Sequence, residues 1–348
     1  MQKRAPAFTK NETRQSKVNT RNTVSEFTTD VVTVSSLQRH IEDWLYDCQF
    51  QQQSTNTIEF RLQMGKKLIW FLEQRDHSRC SLAELRQFLA YVADGYKEPN
   101  GRWGNPKVAA NLKPVRPATI HRYYRELRTL FNWLVREELL SESPVERITP
   151  PKLKAEQVQP FTQEQIETLR RAARRSFHPR RDEAIVLLLL DTGLRASELC
   201  GLRMSDMDMQ GRHCSVIGKG NKRRTIYFGR TAGKALWQYL REEPREEDSP
   251  IFVSDRGKRA GEPLQRSGLL QLIKRLGRAA HVQDARCSPH TFRHTFAIEF
   301  LRNGGNVFSL QQILGHTSLH MTNRYVALAQ ADIENQHRQF SPADRLRS

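Results

Sequence analysis

The sequence has few cysteines, no long apolar run and no apolar segment at its N-terminus. Its five cysteines are widely spaced and include no C-x-x-C pair, so we expect reduced thiols in a cytosolic protein and no disulfide framework. The longest apolar run, Ala184 to Leu190, is far too short for a bilayer, which takes about 20 residues. The first residues lack the apolar core of a signal peptide. We therefore expect a soluble, cytoplasmic protein with no membrane partner.

Acidic residues are also few compared with basic ones. The 348-residue chain carries 56 lysines and arginines against 38 aspartates and glutamates, a formal net charge of +18. Such a surplus is typical of proteins that bind polyanions, most often nucleic acid. A soluble protein that is merely rich in basic residues, or one that meets acidic membranes, would share it. Because no basic amphipathic helix with a large apolar face stands out, we favour nucleic acid.

Changes in composition suggest the domain boundaries, and the length suffices for two domains with separate cores. Residues 1–30 are polar, basic and without apolar periodicity, which indicates disorder. The stretch that carries Pro150 and Pro160 resists helix continuation and indicates an extended linker. We predict a basic disordered arm at 1–30, an all-helical domain at 31–148, a linker at 149–160 and a second domain with a C-terminal tail at 161–348.

Apolar residues repeat with a helical period through most of both domains. In the first domain, Ser81 and Glu84 form a capping box, and the last helix begins near Pro117 after a loop at 97–116 that is rich in glycine and proline. In the second domain the period changes to two on either side of the glycine-rich stretch 218–222, which predicts a β-hairpin. The predicted fold class is mainly α with a small antiparallel β-sheet, the second domain being α+β.

The most informative stretch is the helix predicted between Ser288 and Gly304. Ser288 is a good N-cap, Pro289 suits the first helical position and Gly304 is a plausible stop. His290 and Arg293 share one face of its first turn, where free backbone N–H groups favour an anion. This pair suggests a phosphate ligand, whereas the alternative is a core helix whose polar residues are merely solvated. Three phenylalanines recur every four residues and should stack on its apolar side: Phe292, Phe296 and Phe300.

Two other basic residues are candidates for the same phosphate. Arg195 follows a buried helix predicted at 182–190, and arginine can bind phosphate through two parallel hydrogen bonds. Arg195 and Glu198 could equally form an exposed ion pair of little energetic value. Lys219 lies in the predicted hairpin turn, where its ammonium could protonate a departing oxygen. Lysines in turns are usually only solvated, and the spacing of a P-loop is absent.

Two histidine pairs have the four-residue spacing of helical metal ligands, His290 with His294 and His316 with His320. The glutamate of an H-E-x-x-H zinc motif is absent, and Arg293 would place a cation beside the metal. We therefore expect no bound metal, and we expect His294 and His320 to be structural or solvated.

Tyr325 follows nine residues after His316, in a segment that begins with Leu314-Gly-His. A tyrosine near the end of a chain is usually a packing residue. As a nucleophile it must lose a proton from a group with a pKa of about 10, and clustered cations would favour that loss.

Together these motifs resemble the active-site set of the tyrosine recombinase (phage integrase) family. Four segments match in register over about residues 160 to 335: T-G-L-R-A-S-E-L, G-K-G-N-K-R, H-T-F-R-H, and L-G-H followed by Y. The helical domain is similar to the DNA-binding core-binding domain of the family, while the arm at 1–30 and the loop at 97–116 are not explained by its pattern. The resemblance implies six catalytic residues: Arg195, Lys219, His290, Arg293, His316 and Tyr325.

By this resemblance, Tyr325 attacks a scissile phosphate in DNA, forms a 3′-phosphotyrosyl link and releases a 5′-hydroxyl. Arg195 and Arg293 would hold the non-bridging oxygens while the phosphorus is five-coordinate, and Lys219 would protonate the leaving oxygen. A second 5′-hydroxyl then reverses the step, which gives strand exchange.

The resemblance also implies supporting roles and partners. His290 would assist proton transfer at the tyrosine, His316 would hydrogen-bond the phosphate, and Glu198 would orient its neighbours. No cofactor is expected, because one phosphodiester is exchanged for a linkage of similar energy and no carboxylate pair stands ready to bind magnesium. The implied partner is double-stranded DNA with specific recombination sites, bound by a homotetramer in which residues after Tyr325 dock on a neighbouring protomer.

Three other classes of protein stay open at this point. A type IB topoisomerase uses similar chemistry without joining two sites. A catalytically silent DNA-binding protein would account for the basic charge but not for the motifs, and a zinc hydrolase would lose activity in chelator.

Overall fold

The chain divides into two compact units, Met1–Ala155 and Glu156–Ser348, and each contains its own hydrophobic core. The basic arm predicted at 1–30 and the middle of the predicted linker lie outside the described residues. The computed structural model describes residues 31–94, 102–105, 114–153, 159–218, 223–254, 260–329, 337 and 341–343.

Among these residues, the first unit consists of four α-helices, two short strands that pair antiparallel, and two 3-10 turns. Side chains cap three of the helices, because Thr33, Ser54 and Ser81 each accept a backbone N–H of the first turn. Pro117 is the first residue of the fourth, as predicted. In chain order the elements are β1 (Val32–Thr33), α1 (Val34–Phe50), α2 (Thr55–Glu73), β2 (Arg79–Cys80), α3 (Leu82–Ala93), a turn at Arg102–Gly104, α4 (Pro117–Arg136) and a turn at Pro144–Arg147.

Part of the loop predicted at 97–116 has a packing role that its glycine and proline content did not reveal. The turn at Arg102–Gly104 places the Trp103 ring against those of Trp70 and Tyr91, with centroids 5.7 and 5.0 Å apart. Edge-to-face contacts of this kind add to the stability that burial alone provides. Residues 97–101 and 106–113 of this loop lie outside the described residues.

The second unit, over its described residues, combines eight α-helices with one three-stranded sheet. In chain order the elements are α5 (Gln163–Arg174), α6 (Pro179–Thr192), α7 (Ala196–Gly201), β3 (Met207–Asp208), β4 (His213–Ile217), β5 (Arg223–Tyr227), α8 (Arg230–Glu242), α9 (Arg266–Ala279), α10 (Pro289–Arg302), α11 (Val307–Leu314) and α12 (His320–Ala329), with a 3-10 turn at Met204–Asp206.

The sheet has the strand order β3-β4-β5, and its strands are antiparallel. His213 is paired with Tyr227, and in the same register Cys214 faces Ile226. Both members of the second pair are fully buried, so alternate residues point into the core. The prediction of a mainly α fold with a small antiparallel sheet is confirmed, although the turn of the predicted hairpin, residues 219–222, lies outside the described residues.

Helix α6 is buried along almost all of its length, which agrees with the apolar run Ala184 to Leu190. None of the helices in the described ranges is long and apolar enough to cross a membrane. The helix ends at Gly193, whose φ of 61° lies in the left-handed region that favours glycine. Because α6 is fixed on nearly every side, it also fixes the start of the segment that carries Arg195.

Helix α10 begins as predicted, with Ser288 as its N-cap, but its phenylalanines do not share one side. Phe292 packs in the main core, with its ring 4.9 Å from that of Phe161. Phe296 and Phe300 instead pack on a separate cluster. Residues spaced by four drift around a helix by about 40° per step, and here the drift divides the three rings between two cores.

Replacing Gly193 with alanine should destabilise the second unit by about 2–4 kcal/mol, the sum of a left-handed conformation and a steric clash. A Cβ at this position would lie 2.5 Å from Cδ1 of Phe296, whereas a Cβ at Gly304, with φ of 84°, meets no described atom within 4 Å. Gly304→Ala is therefore the matched control, with an expected cost of about 1 kcal/mol. Urea unfolding measures both, and equal losses would show that the clash does not exist.

Candidate active site

Arg195 and Glu198 form the first part of the site. Arg195 is the N-cap residue of α7, and the Glu198 carboxylate accepts its backbone N–H at 2.8 Å and its Nη1–H at 2.7 Å. Glu198 is only 7% exposed. The alternative of an exposed ion pair is therefore wrong, because the carboxylate is buried and holds both the backbone and the guanidinium of Arg195.

Arg224 on β5 is a member of the site that the sequence analysis missed. Its Nη1 and Nη2 donate to the two oxygens of Glu198 at 2.9 and 2.8 Å, the paired geometry that makes arginine–carboxylate contacts strong. Burial favours the neutral carboxyl, but the hydrogen bonds from Arg224 and Arg195 outweigh it and lower the pKa of Glu198. One signal was available: Arg224 alternates with the exposed Arg223 and Thr225, so it falls on the inward face of its strand.

The C-terminal end of α11 gathers three guanidinium groups. The last carbonyls of a helix have no partner within it and carry the negative end of its dipole, so they suit cations. Gly315 ends the helix with φ of 61°, which leaves these carbonyls accessible to neighbouring elements. Three successive carbonyls each accept from a different arginine: Ile313 from Arg224 Nε at 2.9 Å, Leu314 from Arg293 Nη2 at 2.6 Å and Gly315 from Arg195 Nη2 at 3.1 Å.

Arg293 is the most buried of these arginines, at 4% exposure. Its Nη1 donates to the carbonyl of Gly193 at 2.8 Å, so it is held by the ends of both α6 and α11. Burial, and after it the charge of Arg195, lower the pKa of Arg293 to about 10. The guanidinium therefore remains charged at neutral pH, and the neutral carbonyls that hold it leave its charge in place.

His316 is oriented by Arg293 on one side and by Thr322 on the other. Nη2 of Arg293 lies 3.1 Å from His316 Nε2, and Thr322 Oγ1 lies 2.9 Å from His316 Nδ1. Because arginine can only donate, Nε2 accepts, and in the neutral ring Nδ1 carries the proton that it donates to the threonine. Thr322 is fully buried, so the ring orientation is fixed from within the protein.

Tyr325 lies on α12 and is 1% exposed. Its ring stacks on that of His316 at 6.2 Å and meets the ring of His294 edge-on at 5.1 Å. His294 Nε2 is in turn 3.0 Å from His290 Nε2. His294, predicted to be structural or solvated, is therefore a buried residue that contacts two candidate catalytic residues, while His320 is exposed.

A cavity of about 1450 Å³ joins these groups. Its described lining contains no aspartate or glutamate, and it includes two further arginines, Arg266 and Arg286. Among the described residues, no cluster of three or more histidine, cysteine or acidic side chains could hold a metal ion. Lys219 lies outside the described residues. The other five predicted catalytic residues all line the cavity: Arg195, His290, Arg293, His316 and Tyr325.

The sequence profile of the phage integrase family matches residues 159–332. The chain belongs to this family. Among its relatives, the tyrosine recombinase XerD of Listeria monocytogenes serotype 4b (strain F2365) is 29% identical over 272 residues, which cover 74% of this chain and 90% of that protein. The tyrosine recombinase XerC of Corynebacterium glutamicum is 33% identical over 257 residues, 72% of this chain and 75% of XerC.

Membership in this family makes the chain a tyrosine-type site-specific recombinase, an enzyme that breaks and rejoins DNA strands. Among solved structures, the Tn1549 transposon integrase in complex with a circular intermediate DNA matches 88% of this chain and 99% of its own, with a TM-score of 0.62 and 20% identity. At that identity the likeness supports the fold.

Glu198→Gln should lower the free energy of unfolding by about 3 kcal/mol at pH 7, because it removes the charge shared by two arginines. The pKa of Glu198 is lowered in the folded protein, so its contribution is complete above the unfolded pKa of about 4.3 and is lost as the pH falls through the folded value. The difference between wild type and variant should therefore shrink below about pH 4.

Urea unfolding between pH 3 and pH 8 measures this difference. Glu246→Gln, at an exposed carboxylate of the same unit, is the control and should change stability by less than about 0.5 kcal/mol at any pH. A Glu198→Gln cost that stays constant across the range would contradict the lowered pKa.

Proposed function

We propose that Tyr325 is the nucleophile of this recombinase and that it forms a 3′-phosphotyrosine with DNA. The observation that carries the proposal is the cavity, where one tyrosine, four arginines and three histidines meet without any described acidic side chain. A DNA phosphate is an anion that such a lining attracts, and the phenol in it can form a covalent link to phosphorus.

Arg195 and Arg293 bind the non-bridging oxygens of the scissile phosphate. Arg293 is oriented by two backbone carbonyls, and Arg195 by one carbonyl and the Glu198 carboxylate, so both are placed before the DNA arrives. Charge that builds on the oxygens as phosphorus becomes five-coordinate is then stabilised without reorganisation of the site. Glu198 supports this role by fixing Arg195, with which it makes two of its hydrogen bonds.

The histidines take part in proton transfer at the phenol and hydrogen-bond the phosphate. His316 accepts from Arg293 at Nε2, so Nε2 must carry a proton before it can donate to a phosphate oxygen. His290 assists removal of the tyrosine proton. The ring of His294 contacts those of both His290 and Tyr325, which supports a role for His294 in placing these two side chains together.

Lys219 protonates the 5′-oxygen that leaves. Strand β4 ends at Ile217 and β5 begins at Arg223, so Lys219 lies in sequence between two strands, the second of which carries Arg224 into the site. No cofactor takes part, because the phosphotyrosine conserves the bond energy that rejoining needs.

The substrate is double-stranded DNA with specific recombination sites. The helical domain at 31–148 and the catalytic domain at 161–348 both bind this DNA, with 149–160 as the linker. Four protomers act on two paired sites, and the tail after Tyr325 docks on a neighbour. The solved structure of the Tn1549 transposon integrase contains bound DNA, which supports DNA as the substrate here. The enzyme works in the cytoplasm, and its DNA affinity falls steeply with salt because phosphate contacts dominate.

Tyr325→Phe should abolish covalent attachment to DNA while DNA binding changes less than about threefold, because one hydroxyl is removed and no charge is lost. The assay uses fragmented DNA that carries random nicks, which trap the covalent intermediate, and counts protein–DNA adducts that resist denaturing detergent. Tyr227→Phe, at a 69% exposed tyrosine of the same unit, is the control and should form adducts at the wild-type rate. Adducts of undiminished yield in Tyr325→Phe would refute the assignment.

Removal of divalent metals should leave adduct formation unchanged. The described part of the site has cationic side chains where a metal-dependent nuclease would have carboxylates. The rate is measured in single turnover with and without excess chelator, and with zinc or magnesium added back. A drop of tenfold or more that metal restores would count against the proposed chemistry.

A further inference from the structure

We propose that Arg224 is a positioning residue of the recombinase: it holds Glu198 and the end of α11 so that Arg195 faces the phosphate with its charge available. The inference rests on the proposed function, in which Arg195 binds that phosphate. Arg224 is absent from the described lining of the cavity, so it acts through its neighbours.

The guanidinium of Arg224 joins three elements. It projects from β5, donates through Nε to the carbonyl of Ile313 at the end of α11, and donates through both terminal nitrogens to Glu198 on α7. Its side chain is 14% exposed. A planar fork with donors on two edges is required for this bridge, and lysine cannot reproduce it.

The protein backbone is shaped to accept this side chain. A Cβ on Gly315 would lie 3.2 Å from the Nε, Cζ and Nη1 atoms of Arg224, which is tighter than ordinary contact. Gly315 also has a positive φ, so two separate demands favour glycine at this position. The fit indicates that the guanidinium has a fixed place and is not a mobile surface group.

Arg224 also changes the charge balance around Arg195. Each oxygen of Glu198 accepts one hydrogen bond from Arg195 and one from Arg224. With both arginines present, the three groups carry a net positive charge. Without Arg224, Arg195 would be the one arginine on the Glu198 carboxylate, and the two charges would cancel. The attraction of Arg195 for a phosphate would then weaken.

The test compares Arg224→Gln and Arg223→Gln in the wild-type and Glu198→Gln backgrounds. The two arginines are adjacent on β5, each variant removes one positive charge, and Arg223 is exposed. Arg224→Gln should slow single-turnover adduct formation about 100-fold, while Arg223→Gln changes it less than about threefold. Both should weaken DNA binding equally, since each removes one cation.

In the Glu198→Gln background, Arg224→Gln should cost less than about tenfold, because the partner through which it acts is already changed. A cost of 100-fold in both backgrounds, or an equal loss in Arg223→Gln, would overturn the proposal. Arg224→Lys retains the charge but lacks the planar guanidinium. Relative to Arg224→Gln, it should restore DNA binding fully and the rate of adduct formation only in part. Full restoration of the rate would also overturn the proposal.

The pH profile of adduct formation separates positioning from folding. Glu198 is faced by Arg195 from its own segment, Arg224 from β5, Arg293 from α10 and Cys214 from β4. Loss of Arg224 removes a group that stabilises the carboxylate, so the acidic limb of the profile should move to higher pH. An unchanged profile would contradict the inference. Wild-type protein that forms no Tyr325-dependent adduct would instead contradict the proposed function.

Discussion

The site depends on the backbone carbonyls at the C-terminal end of α11, which have no hydrogen-bond partner within the helix itself. Three guanidiniums converge on the residues from Ile313 to Gly315, one on each carbonyl. Like charges at such close quarters repel one another, and the negative end of a helix dipole together with one buried carboxylate offsets that repulsion. Carbonyls are neutral, so they fix the arginines without cancelling their charge, and the cavity keeps its preference for an anion.

Two hydrophobic cores position the helices whose residues meet at the end of α11. Helix α6 is buried in the main core and ends at Gly193, whose carbonyl also binds Arg293. Helix α10 is shared between the main core and the smaller cluster that contains Tyr325. A side chain of α10 can therefore contact both the fixed end of α6 and the segment that carries the tyrosine, which explains why residues more than a hundred positions apart line one cavity.

The sequence was sufficient to predict the helices, the hairpin strands and the mainly α fold, because caps, glycines and apolar periods are local signals. It did not predict Arg224, because its partners are a carboxylate and a backbone carbonyl distant in sequence, and carbonyls carry no residue identity. For His294 the prediction left two alternatives open, structural or solvated, since a polar residue on a helix looks the same whether it is solvated or buried against a tyrosine. Phe292 and Phe296 pack in different hydrophobic cores, and this depends on tertiary packing that the four-residue spacing alone does not predict.

The burial of Tyr325 among side chains of its own chain has a consequence for stoichiometry. The rings of His294 and His316 hold the phenol from two directions within a single polypeptide. On the proposed function, each protomer then cuts the strand that it holds with its own tyrosine. In an assembly that mixes intact and inactive subunits, loss of the tyrosine from one copy then prevents cleavage only of the strand that this copy holds.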